Sequence, residues 1–170
     1  MIVGLVVGCS TWKYDRYQDP QSRTDYDYVV AVSKTEQSGN NPFDTRYAIF
    51  AHIEIRRDSK GNVFLWFVPD NGILDCNPNT GKIRVVWTVD YIKPWVSEFT
   101  CQPKRSAFYK LSDSEVACIA QGQKMMIEVP IENGKSNFLL DIQGLKMSEL
   151  QYEVEGIRDV TRYNSIFLAP

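Results

Sequence analysis

The segment RYAIFAHIEIRR carries the only histidine of the chain, and with it the side chains best suited to chemistry. On an extended strand successive side chains alternate between faces, so His52, Glu54 and Arg56 share one side while Ile49, Ala51, Ile53 and Ile55 share the other. An imidazole beside a carboxylate is the start of an acid–base pair or of a metal site, and Arg56 adds a cation next along. The solvated face of an amphipathic strand has the same composition, and no other part of the sequence points back to this triplet as a partner. Carboxylate pairs offer a second chemistry. Asp25 with Asp27, and Asp70 with Asp75, have the composition of a glycosidase acid pair, although Asp in turn-rich segments ordinarily serves the turn. The sequence has no G-x-S-x-G, no H-E-x-x-H, no glycine-rich phosphate loop and no dinucleotide fingerprint. Cys76, Cys101 and Cys118 lack C-x-x-C spacing, which argues against zinc and against thioredoxin-like chemistry. No catalytic residue, metal ligand or cofactor is assigned, and the expected function is non-enzymatic.

The elements that hold these residues follow from pattern. The chain has 170 residues, 44% hydrophobic and 12% aromatic, enough for one domain with a core of its own. Its 19 basic and 21 acidic side chains are interspersed and leave a net charge of −2, so a nucleic-acid partner is not expected. No apolar run reaches the length of a membrane-spanning helix. From Tyr26 onward the period is two. YDYVVAVS and RYAIFAHIEIRR alternate as half-buried antiparallel strands. NVFLWFVP is apolar on both faces, which makes Val63 to Val68 a central strand covered on both sides, or a strand whose second face meets a partner. KIRVVWTVDYI puts Ile83, Val85, Trp87, Val89 and Tyr91 together. KMMIEVPI and SNFLLDI form a hairpin around ENGK, with Asn133-Gly134 suited to a type I′ turn. YNSIFLAP could add a last edge strand. One segment breaks the pattern: Ser112 and Glu115 make a capping box and Gly122 a stop, which favours a helix of nine residues near 113–121, with a strand through Val116, Cys118 and Ala120 as the alternative. The expected fold is all-β, mainly antiparallel, a sandwich or partly closed barrel with that one short helix.

The first residues supply a resemblance. Val6, Val7, Gly8 and Cys9 resemble the lipobox of bacterial lipoprotein precursors, in which a diacylglycerol is attached to the cysteine and the preceding peptide is removed. The apolar stretch Ile2 to Val7 is short for such a leader and has no basic residues before it. The resemblance implies lipidation at Cys9 and a signal over residues 1–9; the polar, aperiodic segment after it reads as a tether over 10–24, and the uniform composition beyond as a single β-rich domain over 25–170. The alternative for Ile2 to Val7 is a strand ending in a buried thiol, and for the tether an arm lying on the domain through Trp12, Tyr14 and Tyr17. Export with Cys9 acylated leaves three thiols, of which Cys101 and Cys118 are expected to form a disulfide, closing a short loop worth about 3 kcal/mol in the chain-entropy model. In a reducing compartment all four cysteines stay reduced.

Trp66 and Trp87 are expected in the core from their alternation, whereas Trp95, directly after Pro94, and Phe99 are expected as an exposed interaction surface. The lipobox resemblance implies an envelope lipoprotein, and Ser10 after the cysteine resembles outer-membrane sorting, which implies the periplasmic face of the bacterial outer membrane. It would touch the membrane only through its lipid and present a β-rich domain to a protein partner or a cell-wall polymer. Two alternatives remain open: a structural subunit of a virion or secretion machine that keeps its N-terminal strand, and a small secreted hydrolase working through carboxylates. The sequence does not set the oligomeric state.

Overall fold

The computed structural model describes residues 12–17, 28–34, 50–58, 60–103, 105–132 and 134–148. Cys9, Asp25, Asp27, residues 35–45 and the YNSIFLAP segment lie outside the described residues. The described residues are mostly antiparallel β with one short helix. The strands are β1 (Lys13–Tyr17), β2 (Tyr28–Lys34), β3 (Ala51–Arg57), β4 (Val63–Pro69), β5 (Lys82–Val89), β6 (Trp95–Gln102), β7 (Ser106–Lys110), β8 (Lys124–Ile131) and β9 (Gly134–Asp141), with helix α1 (Asp113–Gln121) between β7 and β8. They form one sheet in the order β1-β2-β3-β4-β7-β6-β5-β8-β9. Within the segment expected as a tether, Lys13–Tyr17 pair with β2, and the indole N–H of buried Trp12 donates to the Ile142 carbonyl at 2.8 Å.

The sheet curls. β4 and β9 stand five places apart in strand order, about 24 Å if the sheet were flat. Yet the rings of Phe67 on β4 and Phe138 on β9 lie 5.1 Å apart. Rolling one face inward lets Ile53, Ile55, Leu65, Phe67, Val85, Trp87, Phe99, Ile127 and Leu140 share a single core. The result is a partly closed barrel, one of the two architectures the strand pattern left open. Its two mouths are covered differently. At one, α1 inserts Val116 and Ile119, joined by Leu111 and Ile142. At the other, the long β4–β5 connection crosses beneath the β8–β9 hairpin and buries Leu74.

The helix begins where its capping box lies. The Glu115 N–H donates to the Ser112 hydroxyl and the Ser112 N–H to the Glu115 carboxylate at 2.7 Å, satisfying donors a helix start otherwise leaves open. It ends at Gly122 for a reason of space. The φ of −75° is ordinary, but a Cβ there would collide with Val89 Cγ1 and lie 2.9 Å from Ile142 Cδ1.

Four expectations are corrected. The β8–β9 hairpin forms, but Gly134, at φ 131°, pairs with Ile131 and opens β9 instead of lying in the turn. β5 stops at Val89, and Tyr91 sits in the following turn instead of beside Trp87. Trp66 is on the outer face, since β4 buries Val63, Leu65 and Phe67. Cys101 is bonded to Cys76, and Cys118 is free. The pairing follows from topology: Cys118 interacts with the charge of Asp90, at the Trp95 end of β6, whereas Cys101 is six residues further along, about 20 Å away on an extended strand.

Candidate functional site: an outer-face aromatic cleft and its polar support

The outer face of β3, β4 and β7 gathers the side chains that the inner core excludes. Antiparallel register sets Glu54 opposite Trp66 and Trp66 opposite Phe108, with Arg56 opposite Phe64 in the next row. Trp66 and Phe108 stack with centroids 4.7 Å apart and planes inclined by 22°. Phe64 meets Phe108 edge to face at 6.0 Å. The Arg56 guanidinium carbon lies 3.9 Å from the Trp66 ring centre, a cation–π contact. β3 and β7 flank β4, so guanidinium and phenyl ring hold the two sides of the indole.

Arg56 is itself anchored. Its Nε donates to Glu54 Oε2 at 2.6 Å, and the other Glu54 oxygen meets His52 Nε2 at 3.2 Å. His52 Nδ1 meets Asp70 Oδ1 at 2.7 Å. Asp70, His52, Glu54 and Arg56 thus alternate in sign along the outer face of β3 and lead into the ring stack. The Glu54 side chain is 13% exposed and that of His52 18%. Hydrogen bonding to Glu54 raises the His52 pKa above 6.5, against the opposing effect of burial and with help from Asp70. For Glu54, burial alone would raise the value, but bonds and charge from His52 and Arg56 outweigh it and hold the carboxyl below 4.5.

This geometry decides between the chemistries of the HIEIR triplet. Both imidazole nitrogens face carboxylates on opposite sides of the ring, so the three groups diverge and do not enclose a common point. Among the described residues no group of three or more His, Cys, Asp or Glu could hold a metal ion. His52 and its neighbours are a strut.

Beside the strut the face opens into a cleft of about 370 Å³, lined by Asp58, Lys60, Asn62, Phe64, Trp66, Gln102 and Phe108. The three rings make the floor. The β3–β4 turn makes one wall, and it is built around Asp58: Oδ1 accepts the N–H groups of Lys60 and Asn62 at 2.9 and 2.8 Å, and Oδ2 accepts the Asn62 amide at 2.7 Å. Gly61, at φ 84°, lets the chain reverse there. Gln102, the last residue of β6, borders the other side.

The expected interaction residues lie elsewhere. Phe99 is fully buried, and Trp95 is half-buried, stacked on Trp87 at 4.6 Å. Neither lines the cleft. Sequence reasoning missed Phe64 and Phe108 as site residues; the signal was the second apolar face of NVFLWFVP, which a partner-facing strand explains. Asp70 lies against His52 rather than against another acid, and Asp75 is held through its backbone N–H on the Pro130 carbonyl.

Fold and site together define a class: a partly closed antiparallel barrel with a solvent-side aromatic cleft braced by an ion chain. No family model matches the chain, and comparison with curated proteins and with solved structures finds no match either. No helix among the described residues is long and apolar enough to cross a membrane.

Proposed function

We propose that this protein is a non-enzymatic module of the bacterial cell envelope, tethered through a lipid on Cys9 at the periplasmic face of the outer membrane, which binds a cell-wall polymer in the Phe64–Trp66–Phe108 cleft. The observation that carries this reading is the cleft's composition: an aromatic floor with amide and charged groups at its rim. Sugar rings present apolar C–H faces that lie flat on aromatic rings, and hydroxyls that Asn62, Gln102 and Lys60 can bond. Both sides of the Trp66 indole are taken by Arg56 and Phe108, so Phe108 and Phe64 offer the ring faces that remain for a ligand. One lysine and one aspartate in the lining suit a polymer of low net charge better than a nucleic acid. The Cys76–Cys101 bridge favours an oxidising compartment, in keeping with export. A carboxylate hydrolase needs two acids facing one bond. Among the described residues Asp58 alone lines the cleft, and its oxygens hold their own turn.

Co-sedimentation with purified peptidoglycan sacculi tests the binding. The full chain is expected in the pellet, and Phe108→Ala and Phe64→Ala each lower the apparent affinity by roughly tenfold, the effect of about 1.4 kcal/mol of lost ring contact. An unbound parent, or variants that pellet like it, would overturn the reading. The tether is tested by intact mass of protein from its native cells. An acylated chain beginning at Cys9 supports it, and an unmodified chain retaining Met1 rejects it.

A further inference from the structure

We propose that the β5–β6 turn, Asp90-Tyr91-Ile92-Lys93, is a membrane-contact tip that touches the lipid surface independently of any acyl chain on Cys9 and of polymer in the cleft. The turn is unusual in conformation. Asp90 and Tyr91 have φ of 48° and 59°, two consecutive left-handed residues as at the centre of a type I′ turn, with the Ile92 N–H bonded to the Val89 carbonyl at 3.0 Å. Asn-Gly is the pair that adopts this shape without strain, and a bulky ring at positive φ is a genuine outlier. The strain is held in place by Asp90. Its carboxylate accepts the N–H groups of Gln123 and Lys124, the latter at 2.8 Å, and its own N–H donates to the Lys124 carbonyl at 2.9 Å.

The side chains so displayed are apolar. Tyr91 is 72% exposed and Ile92 58%, with Lys93 exposed beside them. Behind the tip, on the outer face of the strands flanking β5, Val96 at 55% and Met126 at 39% extend the surface. Two features favour lipid over a protein pocket. A convex tip needs a matching concavity in a protein, whereas a bilayer shapes itself around an inserted side chain. Part of the turn's backbone is also already bonded: the Ile92 N–H donates to the Val89 carbonyl, the Ile92 carbonyl accepts from the Thr88 hydroxyl and the Asp90 N–H donates to the Lys124 carbonyl. Entering a low-dielectric layer therefore leaves these groups satisfied. Tyr at headgroup depth, an aliphatic side chain below it and a lysine toward phosphate make a consistent interfacial anchor.

The test uses the full chain with Cys9→Ser, which carries no acyl group, and vesicles of phosphatidylethanolamine and phosphatidylglycerol. Co-sedimentation is expected, and Tyr91→Asn is expected to lower the partition coefficient by roughly tenfold, the loss for removing a half-inserted ring. Asn adopts the left-handed conformation readily, so this variant should melt no lower than the parent, and its lost binding is then not misfolding. It should bind sacculi as the parent does, which keeps this result separate from that of the cleft. No sedimentation of the parent, or equal sedimentation of the variant, overturns the proposal. So does a dimeric mass in light scattering that falls to a monomer in the variant, which would assign the tip to self-association.

Discussion

Two aromatic pairs on opposite faces of one sheet have nearly the same geometry. Trp87 and Trp95 stack at 4.6 Å and 18°, Trp66 and Phe108 at 4.7 Å and 22°. The inner pair is kept in place by the core around it, with the Trp87 N–H donating to Ser97 at 3.1 Å. The outer pair has open space on one flank, so packing alone does not fix it. Its order comes from Arg56, and through Arg56 from Glu54, His52 and Asp70. Exposed rings that are already immobile lose little freedom when a ligand lies on them, which is the usual advantage of preorganisation. The lesson is that an aromatic stack can be made rigid either by burial or by an ion chain, and only the second leaves a surface to use.

The largest test of this contrast is deletion of each indole. Trp87→Ala removes a fully buried ring and is expected to cost about 3–5 kcal/mol in urea denaturation. Trp66→Ala, with part of its surface already in water, is expected to cost about 1–2 kcal/mol and to act mainly on polymer binding. Equal costs would show that the outer pair is a second core.

Next is the bridge. Cys76 and Cys101 are 25 residues apart, and joining them restricts the unfolded chain. Reduction, or Cys76→Ser with Cys101→Ser, is expected to lower stability by about 3–4 kcal/mol in the chain-entropy model. The bridge ties the β4–β5 connection to β6, on the side of the inner pair, so the outer-face cleft should keep its affinity in any fraction that stays folded.

Glu54→Gln is the smaller and more selective cut. It removes the charge that holds both Arg56 and His52 while keeping the shape, and about 1–3 kcal/mol is expected for a largely buried partner of two cations. The inner pair should be untouched, and Trp66 fluorescence should change as Arg56 is released. An unaltered Trp66 environment would break the link between strut and stack.

How much of this was legible in the sequence depends on whether a strand has one buried face or two. RYAIFAHIEIRR has one, and its alternation placed His52, Glu54 and Arg56 correctly on the outside. The capping box of Ser112 and Glu115 located α1 because its signal is local. NVFLWFVP is apolar on both sides, and period two does not say which side is inner, so Trp66 was expected in the core. In WVSEFTCQ the inner face reads Trp95, Ser97, Phe99, Cys101, and a buried serine disguised it. The partner of Cys101 depends on β4 pairing with β7 rather than β5, a long-range choice that spacing does not record. The turn after Val89 was hidden for another reason: Asp90-Tyr91 is not the residue pair that type I′ geometry prefers.

The least intrusive test is pH, because it alters the support of the outer pair, whereas the titratable group beside Ser97, the Tyr109 hydroxyl, is raised above 10 by burial and keeps its proton over the same range. His52 has a folded pKa above 6.5, so the stability its protonation gives is fully present below about 6.5 and is lost as pH rises through the folded value. Glu54 is shifted the other way. Its contribution is fully present above about 4.5 and is lost as pH falls through its lowered folded value. The strut is therefore strongest between these two limits and weakens on the alkaline side as His52 gives up its proton and two carboxylates lose the cation between them. Followed by nuclear magnetic resonance, the Trp66 indole N–H signal should move with the titration of His52 while that of Trp87 stays still. His52→Gln should flatten the Trp66 curve. If Trp66 is silent while His52 titrates, the ion chain does not reach the rings, and the rigidity of the outer stack must come from Phe64 and Phe108 alone.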